Sequence, residues 1–287
     1  MTDLILFTAG AIVVAVIFYD FLRTTISMSG LGLFSRGLAK SLQKLGFSVA
    51  RWSERQFGTS IRGFIGPSIL SVIALNWIVL HAIGYVLMFR AGMSLVDSQS
   101  GDPATLVQTT AFIGSVLSTL GASTVQVTDG WWDILSMIAA VNGMIVLTLS
   151  VSFLFNILQT TAKARAFAVR YRALKSESSD TDRSETLKRV AALGPDLCQV
   201  AVQFTACPLT GVFVPDDTKM DFPAAVLDLC DFLEGKDAVF GGDRITGIDG
   251  VELRAAIAVL GRHISAGEDA FASVRAWART HTLTTKV

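Results

Sequence analysis

The sequence predicts an all-α membrane protein with three transmembrane helices, a re-entrant helix between the second and third of them, and a mostly helical cytosolic C-terminal domain. The 287 residues are 51% hydrophobic and 17% charged, and the mean hydropathy of +0.53 is too high for an ordinary soluble chain. The charge is also uneven, because residues 1–175 hold 13 basic and 7 acidic side chains whereas residues 176–287 hold 11 and 17. The two parts are therefore expected to lie in different environments.

Three long apolar stretches are the predicted spans. A hydrocarbon core about 30 Å thick needs roughly 20 apolar helical residues. The stretches that qualify are 4–22, within an N-terminal segment 1–23, then 67–89 and 131–158.

A shorter apolar stretch, 103–120, lies between the second and third spans and cannot cross the bilayer. It follows the tripeptide Gly101-Asp102-Pro103. Asp102 is a suitable N-cap and Pro103 suits the first helical position, so we predict a helix over 103–118.

Basic residues predict the orientation, because they collect in cytoplasmic loops. They flank the first span at Arg23, Arg36, Lys40, Lys44, Arg51, Arg55 and Arg62, and they follow the third at Lys163, Arg165, Arg170, Arg172 and Lys175. The stretch 90–130 holds one base and three aspartates. We expect a multi-pass protein of the cell inner (plasma) membrane with its N-terminus outside and its C-terminal domain in the cytoplasm.

Residues 31–57 have the period of an amphipathic helix. One narrow apolar stripe comprises Phe34, Leu38, Leu42, Leu45, Val49 and Trp52, and the bases fall on the opposite side. We predict a helix on the inner leaflet with its bases toward anionic lipid. The alternative is a soluble helix that packs on the C-terminal domain.

The third span is expected to continue as a basic helix to about residue 175. A helix extension and polar linker would occupy 161–184, and a cytosolic helical domain 185–287. Its predicted helices are 185–193, 196–206, 223–234, 250–264 and 268–280. Cys198, Cys207 and Cys230 have neither a CxxC spacing nor nearby histidine pairs, so we expect reduced core residues.

A span, a half-helix, an irregular polar stretch and another span form the layout of a re-entrant pore loop. Non-helical backbone at membrane depth must be buried in protein or line a water-filled cavity. Two flanking spans of one chain cannot enclose such a loop, so we expect several copies around an axis.

The stretch Ser118-Thr119-Leu120-Gly121-Ala122-Ser123-Thr124 resembles the filter of tetrameric potassium channels, the Thr-Val-Gly-Tyr-Gly-Asp pattern. Thr119, Leu120 and Gly121 match its first three positions. Ala122, Ser123 and Thr124 depart from it, so an altered ion selectivity is expected.

The resemblance covers 67–160 as a pore domain of outer helix, re-entrant pore helix and inner helix. Trp131 falls where the family often begins its inner helix with tryptophan, and Gly143 falls where many inner helices carry a hinge glycine.

The resemblance implies coordination of cations rather than catalysis. Carbonyls of Thr119, Leu120, Gly121 and Ala122 and hydroxyls of Thr119 and Ser123 would replace a cation's hydration shell. Gly121 can reach positive φ without penalty. The alternative is that Thr-Leu-Gly-Ala-Ser is a helix C-cap and turn in a tight extracellular hairpin without a pore.

Further residues are candidates for a role in the pore or for a purely structural role. Asn142 is a pore-lining candidate or an inter-helix hydrogen-bond donor. His81 is expected to pack against the pore helix. The remaining candidates are Ser152, Phe155 and Gln159 at the gate and Asp129 and Asp133 at the outer mouth, where helix capping explains the aspartates equally well.

We therefore predict a passive cation channel subunit, a homotetramer gated through its cytosolic domain, with monovalent cations and anionic lipids as partners. No cofactor, nucleic acid or metal beyond permeating cations is expected. The sequence has no HExxH, GxSxG or P-loop motif and only three histidines, so we expect no enzyme. The alternative is a membrane-anchored sensor or scaffold without a pore.

Overall fold

The computed structural model describes residues 2–26, 31–57, 62–92, 94–177, 183–206, 213, 215, 217–234, 250–264 and 269–282. Among these residues, three helices are long and apolar enough to span a membrane: α1 (Thr2–Thr25), α3 (Arg62–Arg90) and α5 (Gly130–Glu177). Between them lie α2 (Leu33–Phe57) and the short α4 (Leu106–Leu117). The protein is an all-α membrane protein, as the apolar stretches predict.

The first compact unit contains α1, the start of α2 as far as Leu38, and residues Leu70–Leu154. Within it α1 crosses α3 at two glycines. A Cβ on Gly10 would lie 2.5 Å from the carbonyl oxygen of Gly84, and a Cβ on Gly84 would lie 3.1 Å from that of Gly10. Small residues at this crossing allow the two backbones to approach closely, as in many membrane helix pairs.

Two three-residue strands, β1 (Leu95–Asp97) and β2 (Val125–Val127), pair antiparallel and flank α4 in the sequence. The all-α prediction did not include them. They lie at the end of the unit where α3 finishes and α5 begins, which we call the sheet end. Arg90 Nη1 at the end of α3 donates to the carbonyl of Ala104 at 2.9 Å, which ties the start of the α4 segment to this end.

The predicted N-cap of α4 is wrong. Thr105, not Asp102, caps the helix: its hydroxyl accepts from the amide of Gln108 at 3.3 Å, and the Gln108 side chain accepts from the Thr105 amide at 2.9 Å. This reciprocal pair is a capping box, and no Glu or Gln stands three residues after Asp102 to form one there. Pro103 lies outside the helix and forms a bridge with Val96.

The second compact unit contains α2 from Ala39, α3 as far as Ile69 and the described residues from Phe155 onward. Its C-terminal helices are α6 (Arg183–Ala191), α7 (Gly194–Ala206), α8 (Phe222–Leu233), α9 (Val251–Ile264) and α10 (Ala270–His281). Each overlaps a predicted helix. Cys230 is buried and Cys198 half-buried, and burial raises the pKa of the Cys230 thiol to about 12; Cys207 lies outside the described residues.

The end of α5 packs with the C-terminal helices. The second unit takes in α5 from Phe155 onward, and the end of α5 lies in the core of this unit, where Phe167 and Tyr171 are fully buried in one cluster with Leu197 and Leu229. Lys175 also pairs with Asp228 of α8 at 3.4 Å. The helix extension is therefore an integral part of the C-terminal domain, whereas 178–182 of the predicted linker lie outside the described residues.

Helix α2 has three faces. Its buried face is made of small residues, including Ser35, Ala39, Ala50 and Ser53. The predicted apolar stripe is mostly exposed, with Phe34, Leu45, Val49 and Trp52 between 43% and 61% accessible. The bases Arg36, Lys40, Lys44 and Arg55 are exposed on a third side.

Candidate functional site

Helix α4 ends deep within the first unit, beside Gly143 of α5. A Cβ on Gly143 would lie 2.7 Å from the Cα of Leu117 and 2.8 Å from its carbonyl carbon, so only glycine permits this approach. Gly143 is thirteen residues beyond Gly130, the first residue of α5. At 1.5 Å per residue, the end of α4 therefore lies about 20 Å from the sheet end.

The position of the end of α4 along α3 gives a similar depth below the sheet end. Its His81 lines a cavity together with Leu117 and Ser118 at the end of α4. His81 is nine residues before Arg90, the last residue of α3, which corresponds to about 14 Å along the helix axis. Both long neighbours therefore place the end of α4 well below the sheet end.

The chain leaves α4 through a Schellman motif. The amide of Leu120 donates to the carbonyl of Ser115 at 2.9 Å, and the amide of Thr119 donates to that of Val116 at 3.0 Å. Thr119 has a φ of 58°, a conformation rare for β-branched residues that costs roughly 1–3 kcal/mol. Glycine or asparagine is the usual residue at this position, so the sequence predicts a helix C-cap here as its alternative interpretation but not a positive φ at Thr119.

The backbone after Thr119 returns toward the sheet end without regular structure. Residues 118–124 are all exposed, with Leu120 73% accessible. Among the described residues, no hydrogen bond uses the carbonyl oxygen of any residue from Thr119 to Ser123. Gly121 has a φ of 72°, which confirms the predicted positive φ. The arrangement presents five consecutive carbonyls without partners in the described chain.

The backbone of residues 119–124, which we call the return segment, is fixed at its far end. The amide of Ser98, next to β1, donates to the carbonyl of Thr124 at 3.0 Å. The Ser123 hydroxyl donates to the carbonyl of Val125 and accepts from its amide, both at 3.0 Å. Local bonds therefore occupy this hydroxyl, and one lone pair is left for the predicted cation contact.

Asn142 is buried between α5 and α3. Its side chain is 9% exposed, and its Nδ2 donates to the Tyr85 hydroxyl of α3 at 3.1 Å. The alternative interpretation, an inter-helix hydrogen bond, is confirmed. Gly143 lies in an unbroken helix, and its missing side chain makes room for Leu117. Packing therefore explains why a glycine stands here, and the hinge role stays a prediction.

The three gate candidates lie on one exposed side of α5. Ser152, Phe155 and Gln159 are exposed, and their spacing of three and four residues continues an exposed stripe from the start of the helix. That stripe comprises Ile134, Met137, Val141, Met144, Thr148, Ser152, Phe155 and Gln159. A surface this long and apolar is suited to lipid, to another copy or to a wide vestibule.

The two aspartates at the start of α5 differ in role. Asp129 Oδ1 accepts from the amides of Trp131 at 3.1 Å and Trp132 at 3.4 Å, so it caps the helix as the alternative interpretation predicted. Asp133 is exposed in the first turn. Within the described part of the chain, no group of three or more histidine, cysteine or acidic side chains could hold a metal ion.

Asp97 is the last residue of β1, and a turn follows it. Its Oδ1 accepts from the amides of Gln99 at 2.8 Å and Ser100 at 3.1 Å, and its Oδ2 accepts from Gln108 Nε2 at 2.6 Å. The two amide hydrogen bonds lower the pKa of this carboxyl below its ordinary value. Asp97 therefore stays charged at the sheet end and joins the turn to α4.

Sequence reasoning missed Asp20, a buried carboxylate near the end of α1. Its oxygens accept from the amides of Phe34 at 3.0 Å and Ser35 at 3.2 Å and from the Ser35 hydroxyl at 2.6 Å. Trp77 Nε1 in turn donates to that hydroxyl at 3.1 Å. Asp20 thus caps α2 from another helix, a role that sequence spacing does not indicate.

Comparisons with known proteins give one membrane protein. No family model matches the chain, and no solved structure matches it significantly. The chain is 30% identical over 174 residues to a protein of Bacillus subtilis (strain 168) described as "Uncharacterized membrane protein YdjJ". The match covers 58% of this chain and 46% of that protein, so the chain spans less than half the length of this relative. The likeness agrees with the three candidate spans.

Proposed function

We propose that the protein is a subunit of a passive cation channel in which residues 119–123 form the filter. One observation carries the proposal: α4 ends about 14–20 Å below the sheet end, and the return segment exposes five consecutive backbone carbonyls that have no partner among the described residues.

Membrane physics limits what can surround such a segment. Unpaired carbonyls at membrane depth cost several kcal/mol each when lipid surrounds them, so the segment must line a water-filled space or lie against protein. One chain leaves residues 118–124 exposed. Several copies around a shared axis would enclose them, and the potassium-channel resemblance favours a homotetramer.

Carbonyl oxygens and the end of α4 favour cations. The C-terminal end of a helix carries partial negative charge, and α4 directs this end at the return segment. Monovalent cations are the proposed permeant ions, because the segment offers neutral oxygens rather than a carboxylate cluster. Ala122 and Ser123 replace the aromatic and second glycine of the potassium pattern, so the ion order is the quantity to measure. The proposal involves no catalysis, cofactor or nucleic acid.

The exposed stripe of α2 supports the proposed orientation. Leu45, Val49 and Trp52 are 43–61% accessible, and the bases lie on another side of the helix. We place α2 on the anionic inner leaflet of the plasma membrane, the C-terminal domain in the cytoplasm and the N-terminus outside. Because α5 continues into the core of that domain, the domain is suited to bias the pore.

A membrane-anchored sensor or scaffold is the second candidate. The Schellman motif at Thr119 and Leu120 favours it, because it provides an ordinary end for α4 without any ion. In such a protein the spans would only hold the C-terminal domain at the bilayer, and changes at Gly121 would leave its function intact.

Ion flux through purified protein in liposomes separates the two candidates. The test compares wild type, Gly121→Ala and the control Gly101→Ala with potassium, sodium and chloride. Both glycines have positive φ, 72° and 75°, and neither has an atom within 4 Å of an added Cβ, so the two substitutions carry similar backbone strain. The proposal predicts cation flux that Gly121→Ala abolishes and Gly101→Ala retains. Absence of flux in wild type, or equal effects of both variants, would support the sensor instead.

A further inference from the structure

A cavity of about 110 Å³ lies between α3, α4 and α5 in the first unit. Its walls are largely apolar and include Ile78, Ala82, Leu117, Val146 and Leu147. It also borders Ser118, where α4 ends and the return segment begins. It is smaller than an enclosed cavity of about 150 Å³ that binds benzene, but it is partly open, so a substituted ring can lie partly inside it. Its size therefore suits one small organic molecule.

His81 gives this apolar space one polar group. Its Nδ1 lies 2.7 Å from the carbonyl oxygen of Trp77. A carbonyl only accepts, so Nδ1 carries the hydrogen and Nε2 carries the lone pair of the neutral ring. His81 is 1% exposed, and Nε2 has no partner among the described residues. Buried acceptors are normally hydrogen-bonded, so we expect a bound molecule to donate a hydrogen bond to this nitrogen.

Water does not suit the site. A buried water needs two to four polar partners, and among the residues that line this cavity only His81 and Ser118 have polar side chains. The Ser118 hydroxyl already donates to the carbonyl of Ser115 at 3.2 Å. A molecule that needs a single acceptor and otherwise contacts apolar walls fits the lining better.

We propose that the cavity binds a small neutral amphiphile with one hydrogen-bond donor and an apolar body of about six carbons, the class of phenols and short alcohols. The donor bonds to His81 Nε2, and the body packs against Leu117, Val146 and Leu147. The bound molecule braces the end of α4 directly behind the return segment. Any effect of this on conduction rests on the proposed channel function, whereas the binding itself does not.

Fluorine NMR of the purified full-length protein in detergent micelles tests the binding. The probes are 4-fluorophenol, which has a donor, and 4-fluoroanisole, which has the same ring and none. Wild type should bind 4-fluorophenol about tenfold more tightly than His81→Phe does. The two proteins should differ little with 4-fluoroanisole. Ala82→Leu, which fills the cavity from α3, should abolish specific binding of both probes. It replaces His81→Phe as the comparison with wild type if His81→Phe does not fold.

Two results would overturn the proposal. One is equal line broadening of 4-fluorophenol by wild type, His81→Phe and Ala82→Leu, which indicates partition into micelles alone. The other is no binding to wild type, which indicates that a neighbouring copy already fills the cavity. Because neither measurement uses ion flux, failure of the binding proposal and failure of the channel proposal are recorded separately.

Discussion

Gly143→Ala tests whether the position of α4 depends on contact with α5. The added Cβ would lie 2.7 Å from the Cα of Leu117, a backbone atom that cannot rotate away. Ordinary contact between carbon atoms begins near 3.5 Å. The end of α4, together with Thr119 after it, must therefore move by close to 1 Å or the new methyl group must remain compressed.

The expected cost follows from two opposing effects. Overpacking of a well-packed site costs about 1–3 kcal/mol. Alanine in a helix interior stabilises the helix by up to about 1 kcal/mol relative to glycine. The net loss should be about 1–2 kcal/mol, which corresponds to roughly 2–8 °C in the midpoint of thermal unfolding for a domain of 150–250 residues.

The assay is thermal unfolding in detergent, followed by liposome flux. Gly37→Ala is the matched control, because Gly37 also lies inside a helix and has no atom within 4 Å of an added Cβ. It should leave the midpoint unchanged or raise it. Gly143→Ala should lower the midpoint and also lower flux, because the return segment moves with the end of α4.

A Gly143→Ala protein that unfolds at or above the wild-type temperature would refute this reasoning. If its flux were then altered at normal stability, the glycine would act as a hinge of α5, as the resemblance implies, rather than as the contact site for Leu117.

Three further perturbations test other contacts. Asp20→Ala should destabilise the protein by about 2–4 kcal/mol, because it leaves two backbone amides and a hydroxyl without their buried acceptor; Asp20→Asn should cost less, and equal unfolding midpoints of Asp20→Ala and wild type would contradict the capping role. Burial lowers the pKa of His281, which packs edge-on against Phe47, so the unfolded chain binds its proton first and stability should fall as pH drops below about 6.5 toward the lower folded pKa; His281→Gln should flatten this part of the pH profile, and an unchanged profile would exclude His281 as the cause. A polarity-sensitive label on Leu45→Cys should emit at shorter wavelength than on Lys40→Cys in nanodiscs that contain anionic lipid, in a background without native cysteines; equal emission would place the apolar stripe of α2 in water.

The sequence was sufficient for the helices because their signals are local. Three apolar stretches of bilayer length became α1, α3 and α5, and the periodic segment 31–57 became α2. The C-terminal helices follow amphipathic periods and polar breaks, so their bounds agree to within a few residues. Gly121 adopts positive φ as the chemistry of glycine allows.

Long-range contacts explain what the sequence could not predict. Asn142 is buried because Tyr85 of another helix accepts its hydrogen bond, and Asp20 caps a helix that begins thirteen residues later. Thr119 takes a conformation that its own side chain disfavours, because the Schellman bonds to Ser115 and Val116 hold it there. The end of α5 belongs to the C-terminal core through partners that follow it in the sequence.

The most direct test of the central claim is the access of a charged thiol reagent to the return segment. In liposomes that contain a variant without native cysteines, Ala122→Cys is compared with Leu75→Cys, an exposed apolar position of α3. We expect a positively charged methanethiosulfonate to react with Ala122→Cys and to block cation flux, whereas Leu75→Cys, in lipid, should neither react nor change flux. Flux that continues unchanged while Ala122→Cys is fully labelled, or an Ala122→Cys that the reagent never reaches, would contradict the claim that this segment lines a water-filled pore.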